Sequence, residues 1–163
     1  MAKYAIVVAR YQEDIRWLSY LGRKPEWDVF VYNDGPPLDP YFTPNFKIHK
    51  GDGVPSEAPK YMKFICDNYN TLEKYKWIVF IQANPFDHSP DFLGLLENLN
   101  ACKKTFQGLN VGHPPPWGPK DITFDETIGN MRLWHEPFVK GWRGPWNDHF
   151  ITESQIILNS ITL

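Results

Sequence analysis

The sequence is short of cysteine, of long apolar runs and of excess basic charge, and each shortage removes a class of protein. Two cysteines, Cys66 and Cys102, in 163 residues make neither a disulfide scaffold nor a zinc site, and no Cys/His spacing suits zinc. Isolated reduced thiols fit a cytosolic-type compartment. The apolar run Ala5-Ile6-Val7-Val8-Ala9 stops at Arg10, so it is too short for a membrane span and lacks the pattern of a signal peptide. No membrane span is expected, and the cytoplasm is the expected location. The formal net charge is −2, with no run of like charge, so there is no basic field to hold a nucleic-acid backbone and no nucleic-acid partner is expected. Nothing matches G-x-x-x-x-G-K-[ST], G-x-G-x-x-G or G-x-S-x-G, which argues against a P-loop NTPase, a dinucleotide dehydrogenase and an α/β-hydrolase.

Aromatic residues, by contrast, are plentiful: 16% of the chain, including seven Trp. They suit ligand clefts and interfaces, and they also fill cores. The length implies one domain, 1–163, large enough to bury its own core. Tyr4 to Ala9 is a continuous β-branched run of the kind found in strands covered on both faces. Glu13 and Asp14 are expected to open a helix that continues to Leu21 and ends at Gly22 and Pro25. Trp27 to Tyr32 reads as a second strand broken by Asn33-Asp34-Gly35-Pro36-Pro37. Phe46 to His49 reads as a short third strand. Ser56 to Tyr69 carries helical spacing in Met62, Ile65, Cys66 and Tyr69, with Pro59 tolerated in the first turn. Trp77 to Ile81 is the clearest buried strand. Ser89-Pro90-Asp91 then begins a helix expected to reach about Phe106.

Residues 108–163 differ in texture. His113-Pro114-Pro115-Pro116-Trp117-Gly118-Pro119 cannot be regular helix or central strand. Short helices are expected at 125–133 and 153–158, and a strand at Phe150 to Thr152. The chain thus divides into an α/β half, 1–107, and an irregular Pro/Trp-rich half, 108–163. The β-α-β-(β)-α-β-α order of the first half predicts an α/β fold, a mainly parallel sheet with helices on both faces. Ligands of such folds bind outside the carboxyl ends of the strands.

That rule selects the candidate residues. After the first strand come Arg10, Glu13 and Asp14; Arg10 can fork onto a phosphate or carboxylate, or simply pair with Glu13 or Asp14 at the sheet rim. After the second come Asn33 and Asp34, either a plain turn or a carboxylate for the ribose or base of a nucleotide. After the Trp77 strand come Gln82, Asn84, Asp87 and His88. Amide and carboxylate oxygens suit a hard cation and His88 can exchange a proton, while the competing reading is a helix cap. Glu57 reads as a first-turn dipole partner. Trp146-Asn147-Asp148-His149 sets a second Asp-His pair beside an apolar stretch, with Asp148 a candidate general base and His149 a candidate metal ligand, or a solvated loop.

Several blocks together resemble a known family. Val7-Val8-Ala9-Arg10-Tyr11-Gln12-Glu13-Asp14 with Trp17-Leu18, then Glu57-Ala58-Pro59-Lys60-Tyr61 and Ile65-Cys66-Asp67-Asn68-Tyr69, then Phe80-Ile81-Gln82-Ala83-Asn84-Pro85-Phe86-Asp87-His88 resemble an uncharacterised domain family of fungal, viral and bacterial proteins. The likeness covers roughly residues 4 to 92 and continues loosely at His149-Phe150-Ile151-Thr152. If the source is viral, host cytoplasm or virion is the implied location. That family in turn looks like a distant relative of glycosyltransferases with the A-type, Rossmann-like nucleotide-diphospho-sugar fold. Gln82-Ala83-Asn84 falls where those enzymes carry Asp-x-Asp, the motif that holds a divalent cation against the leaving diphosphate.

The resemblance implies a nucleotide-sugar as donor, a glycan acceptor and a Mn²⁺ or Mg²⁺ cofactor. Arg10 would meet the diphosphate and Asp34 the nucleoside, with Glu13, Gln82, Asn84 and Trp146 as further substrate contacts. Asn84, Asp87 and His149 would surround the cation, and Asp148, Asp87 and His88 would carry proton transfer. The loss of Asp-x-Asp leaves open a non-catalytic glycan- or protein-binding module on the same scaffold. A metal-dependent hydrolase using Asp87, His88, Asp148 and His149 is a third expectation.

Overall fold

A computed structural model describes residues 2–87, 89, 90, 92–99, 106–108 and 150–152, the last two segments as backbone. The strands are β1 (Tyr4–Arg10), β2 (Trp27–Asn33), β3 (Lys47–Lys50), β4 (Trp77–Gln82), β5 (Phe106–Gly108) and β6 (Phe150–Thr152), and the α-helices are α1 (Ser19–Gly22), α2 (Ala58–Asn68) and α3 (Phe92–Glu97). They form one sheet in the order β3-β2-β1-β4-β6-β5. β3, β2, β1 and β4 are mutually parallel, and β6 joins antiparallel to both β4 and β5. This is the α/β, Rossmann-like arrangement the alternation predicts.

All seven residues of β1 are buried because the strand is covered on both faces. Ile6 and Val8 pack toward one side with Leu18, Leu21, Phe92 and Leu96, which come from the α1 region and α3. Ala5, Val7 and Ala9 pack toward the other with Phe64, Ile65 and Leu72, from α2 and the turn after it. Phe64 and Phe80 are fully buried and meet edge to face, with ring centroids 5.8 Å apart. Burial of a side chain of this size contributes roughly 2–3 kcal/mol.

The helices are shorter than the apolar spacing predicts, and polar side chains account for it. Asp14 does not open the first helix. Its carboxylate accepts the backbone N–H and the guanidinium of Arg16, a local turn that competes with helix, so a 3-10 turn at Arg16–Leu18 leads into α1. Ser56 stays outside α2, its N–H turned to the Val54 carbonyl and its own carbonyl bonded to Lys60 Nζ. At the far end Asn68 Nδ2 takes the Phe64 carbonyl, and a 3-10 turn, Tyr69–Lys74, follows. α3 contains Gly94, a weak helix former, and Asn98 Nδ2 takes the Gly94 carbonyl. The helix expected to reach Phe106 therefore ends at Glu97, and Phe106–Gly108 is a strand. The helices expected at 125–133 and 153–158 lie outside the described residues.

The chain runs outward from β1 to β2 and β3, then crosses by α2 to β4 on the other side of β1. The strand order therefore reverses between β1 and β4, and such a reversal opens a crevice at the carboxyl ends. The turn after β2 closes against it. A Cβ on Gly35 would run into the Tyr11 carbonyl, a backbone group that cannot swing away. Gly35→Ala should lower stability by about 1–3 kcal/mol, the usual cost of overpacking, measured by urea denaturation.

Candidate functional site

The crevice is a cavity of about 420 Å³. β1 supplies Ala9 and Arg10 with Tyr11 and Glu13 beyond it, β4 supplies Gln82, and the turn after β2 supplies Asp34. The remaining wall is the segment leading into α2: Gly53 to Glu57, and Lys60. Arg10, Glu13, Asp34 and Gln82 thus converge from three strand ends onto one space.

Arg10 is 8% exposed. Its Nε donates to the Glu13 carbonyl at 2.8 Å, and Nη1 donates to Asn33 Oδ1 at 2.7 Å and the Pro36 carbonyl at 3.0 Å. All three acceptors are neutral. The rim ion pair that the sequence allowed with Glu13 or Asp14 does not form. Asp14 pairs with Arg16 instead, and that hydrogen bond holds its carboxyl below the ordinary value. Glu13 Oε2 accepts the Tyr11 N–H at 2.8 Å. Among the described residues no carboxylate hydrogen-bonds Arg10 and Nη2 has no acceptor, although its charge adds a small part to the lowering of the Asp14 carboxyl. A buried guanidinium is costly unless its charge and donors are matched.

Asp34 stands in a different state. Its Oδ2 lies 2.6 Å from Lys60 Nζ and its Oδ1 accepts the Gly53 N–H at 2.8 Å. Lys60 is 4% exposed and also donates to Asp52, Val54 and Ser56, at 2.9, 2.7 and 2.9 Å. One ammonium therefore ties the 52–56 segment to the turn after β2. The Lys60 hydrogen bond is the main cause that lowers the carboxyls of Asp34 and Asp52. Burial opposes the charge of Lys60, but hydrogen bonds to Asp34 and Asp52 outweigh it and raise the ammonium above its ordinary value.

Lys60 is the site residue that sequence reasoning missed. The available signal was its place in the first turn of a helix, where the dipole disfavours a cation unless carboxylates are built around it. Glu57 occupies the N-cap position without making a side-chain cap. It lines the cavity half-buried, with no side-chain hydrogen bond among the described residues. Gln82 is likewise half-buried, with its carboxamide unpaired among them.

Asn84 and Asp87 do not line the cavity. Ala83 is fixed by its N–H to the Ala9 carbonyl and by its carbonyl to Trp17 Nε1. Phe86 packs edge-on against Trp17, with centroids 5.1 Å apart. With the apolar side of the loop turned inward, Asn84 and Asp87 are exposed, and Asn84 Nδ2 donates to Asp87 Oδ2 at 3.3 Å. The described donors at this strand end are two amides and one carboxylate, and the Asn84 bond to that carboxylate uses Nδ2, not the amide oxygen. By themselves these described donors do not complete the shell of a cation bridging a diphosphate, which needs several oxygen ligands, and His149, the third expected ligand, lies outside the described residues. No group of three or more His, Cys, Asp or Glu placed to hold a metal occurs among the described residues. His88, Trp146, Asp148 and His149 lie outside the described residues. Among them no helix is long and apolar enough to cross a membrane.

The Lys60 network has a defined pH window. Asp34 and Asp52 are lowered from 3.8, so their contribution is present above that value and lost as pH falls through the folded values. Lys60 is raised from 10.5, so its contribution is complete below that value and lost as pH rises through the folded one. Protection of the Gly53 amide from exchange should persist between these limits and fall outside them. Lys60→Met leaves Asp34 without its counter-ion and should cost about 3 kcal/mol by thermal or urea unfolding.

No curated protein matches the chain. Strands β2, β3 and β4, most of β1 and every residue of the cavity wall nevertheless fall within residues 6–104, which match the profile of DUF3431, described as a protein of unknown function, and the chain belongs to that family.

Proposed function

We propose that the chain binds a nucleotide-sugar at the carboxyl rim of the sheet and acts as a glycosyltransferase-like protein of the A-type fold. The observation that carries this reading is Arg10: a buried guanidinium, oriented by three neutral acceptors and hydrogen-bonded to no carboxylate among the described residues, beside a 420 Å³ cavity. Such a group is suited to an anionic ligand, here the diphosphate. Asp34 keeps lone pairs beyond those given to Lys60 and Gly53 and lies on the wall where the nucleoside would sit. Glu13 and Gln82 offer hydrogen-bond partners for hydroxyl groups.

In the transfer itself an acceptor hydroxyl attacks the anomeric carbon. The bond to the diphosphate breaks, and the hydroxyl proton passes to a base. Asp148 is the candidate base and Trp146 a stacking surface for the glycan. β6 begins at Phe150, opposite Phe80 near the end of β4, and Asp148 and His149 directly precede it in sequence.

A second reading, a non-catalytic glycan-binding module, draws on Asn84 and Asp87, which bond to each other outside the cavity. Calorimetry with UDP-, GDP- and dTDP-sugars should give saturable binding to at least one, and no heat with any of them would overturn both the donor site and the enzyme. Asp148→Asn should lower turnover by about 10²–10⁴-fold with donor affinity unchanged. Binding without turnover in the wild type would favour the non-catalytic module.

A further inference from the structure

The cavity wall holds two kinds of unspent donor. One is on Arg10, a lining residue more than nine-tenths buried whose Nη2 meets no acceptor among the described residues. The other is the start of α2, an eleven-residue helix. The N–H groups of Glu57 and Ala58 meet no acceptor among the described residues, and Pro59 has no N–H to give. Helix starts carry partial positive charge and unfilled donors, and together these favour an anion. Ser56 adds a hydroxyl on the same wall.

The other charges on the wall decide how an anion is balanced. Lys60 is consumed by Asp34 and Asp52, so it cannot serve. Glu13 and Glu57 are carboxylates and oppose an anion. Among the described residues Arg10 is therefore the cavity's cation that no carboxylate hydrogen-bonds, and the described donors after β4 do not by themselves make up a cation site.

We propose that the ligand's phosphate is held between Arg10 and the first turn of α2 with no bridging divalent cation. The proposal rests on the nucleotide-sugar reading only for the source of that phosphate. Guanidinium and helix N–H groups take over the neutralising role that a metal ion fills at an Asp-x-Asp motif.

The sign of one substitution separates this arrangement from a metal site. Glu57 lines the cavity with no side-chain hydrogen bond among the described residues, so it repels a phosphate but would attract a metal carrying one. Pyrophosphate, inorganic phosphate and UDP are titrated calorimetrically into the full chain, in EDTA and in Mn²⁺. Pyrophosphate should bind in EDTA within about threefold of its affinity in Mn²⁺, and Glu57→Gln should tighten it about threefold. Arg10→Gln should weaken it by about tenfold or more. Since Arg10 also braces the turn after β2, Ser56→Asp gives the same test by adding a negative charge while leaving the Arg10 bonds in place, and it too should weaken binding about tenfold.

Pyrophosphate binding that needs Mn²⁺, or that weakens in Glu57→Gln, would overturn the proposal. Two results separate it from the donor reading. Pyrophosphate bound in EDTA with no nucleotide-sugar bound at all sustains the phosphate site and removes the donor. A nucleotide-sugar bound only with Mn²⁺ sustains the donor and removes the metal-free phosphate site.

Discussion

The placement of β1 between two parallel neighbours is the constraint on which the rest of the structure depends. Its backbone is bonded to β2 along its whole length and to β4 from Tyr4 to Ala9, and both of its faces are covered, so every residue must be apolar until the strand leaves the sheet. Arg10 is the first residue that need not be. Parallel pairing brings Asn33 opposite Arg10 and Gln82 opposite Ala9, so the polar groups of three strands reach one rim at one level. Antiparallel neighbours would have sent alternate strand ends to opposite rims.

Two cations at that rim have opposite fates. Lys60 is enclosed by Asp34, Asp52 and two carbonyls, and its work is to fix one wall of the cavity. Arg10 is enclosed by neutral oxygens, and its charge stays available. Opposite charges within hydrogen-bonding distance satisfy each other and leave little for a ligand, whereas a guanidinium held in place by carbonyl and amide oxygens is oriented without being neutralised. This difference in partners makes Arg10 the candidate ligand-binding group and Lys60 the brace.

The order of strands and their approximate bounds were legible in the sequence because a strand covered on both faces leaves an unbroken β-branched run, as in Tyr4 to Ala9 and Trp77 to Ile81. Helix ends were less legible. Apolar spacing does not register that Asp14 bonds to nearby backbone and delays the first helix, or that Asn68 and Asn98 do so where theirs end, and that competition turns on geometry rather than composition. Phe106, which opens β5, was read as the end of a helix and the strand was not foreseen, because three residues at a sheet edge carry too little pattern. Of the candidate site, Arg10, Glu13, Asp34 and Gln82 were found by the rule that ligands gather at carboxyl strand ends. Asn84 and Asp87, chosen by the same rule, fall outside the cavity because Phe86 packs against Trp17 and turns them outward.

The sequence by itself determined the α/β alternation, the strands of the parallel core and the residues that stand at their ends, since burial on two faces and turn chemistry are local demands written in residue type. Only the tertiary structure decided which of those polar groups keeps its capacity for a ligand. Partners such as Asn33 for Arg10 and Asp52 for Lys60 lie on other elements, and the free or spent state of a charge depends on what the fold brings within hydrogen-bonding distance of it.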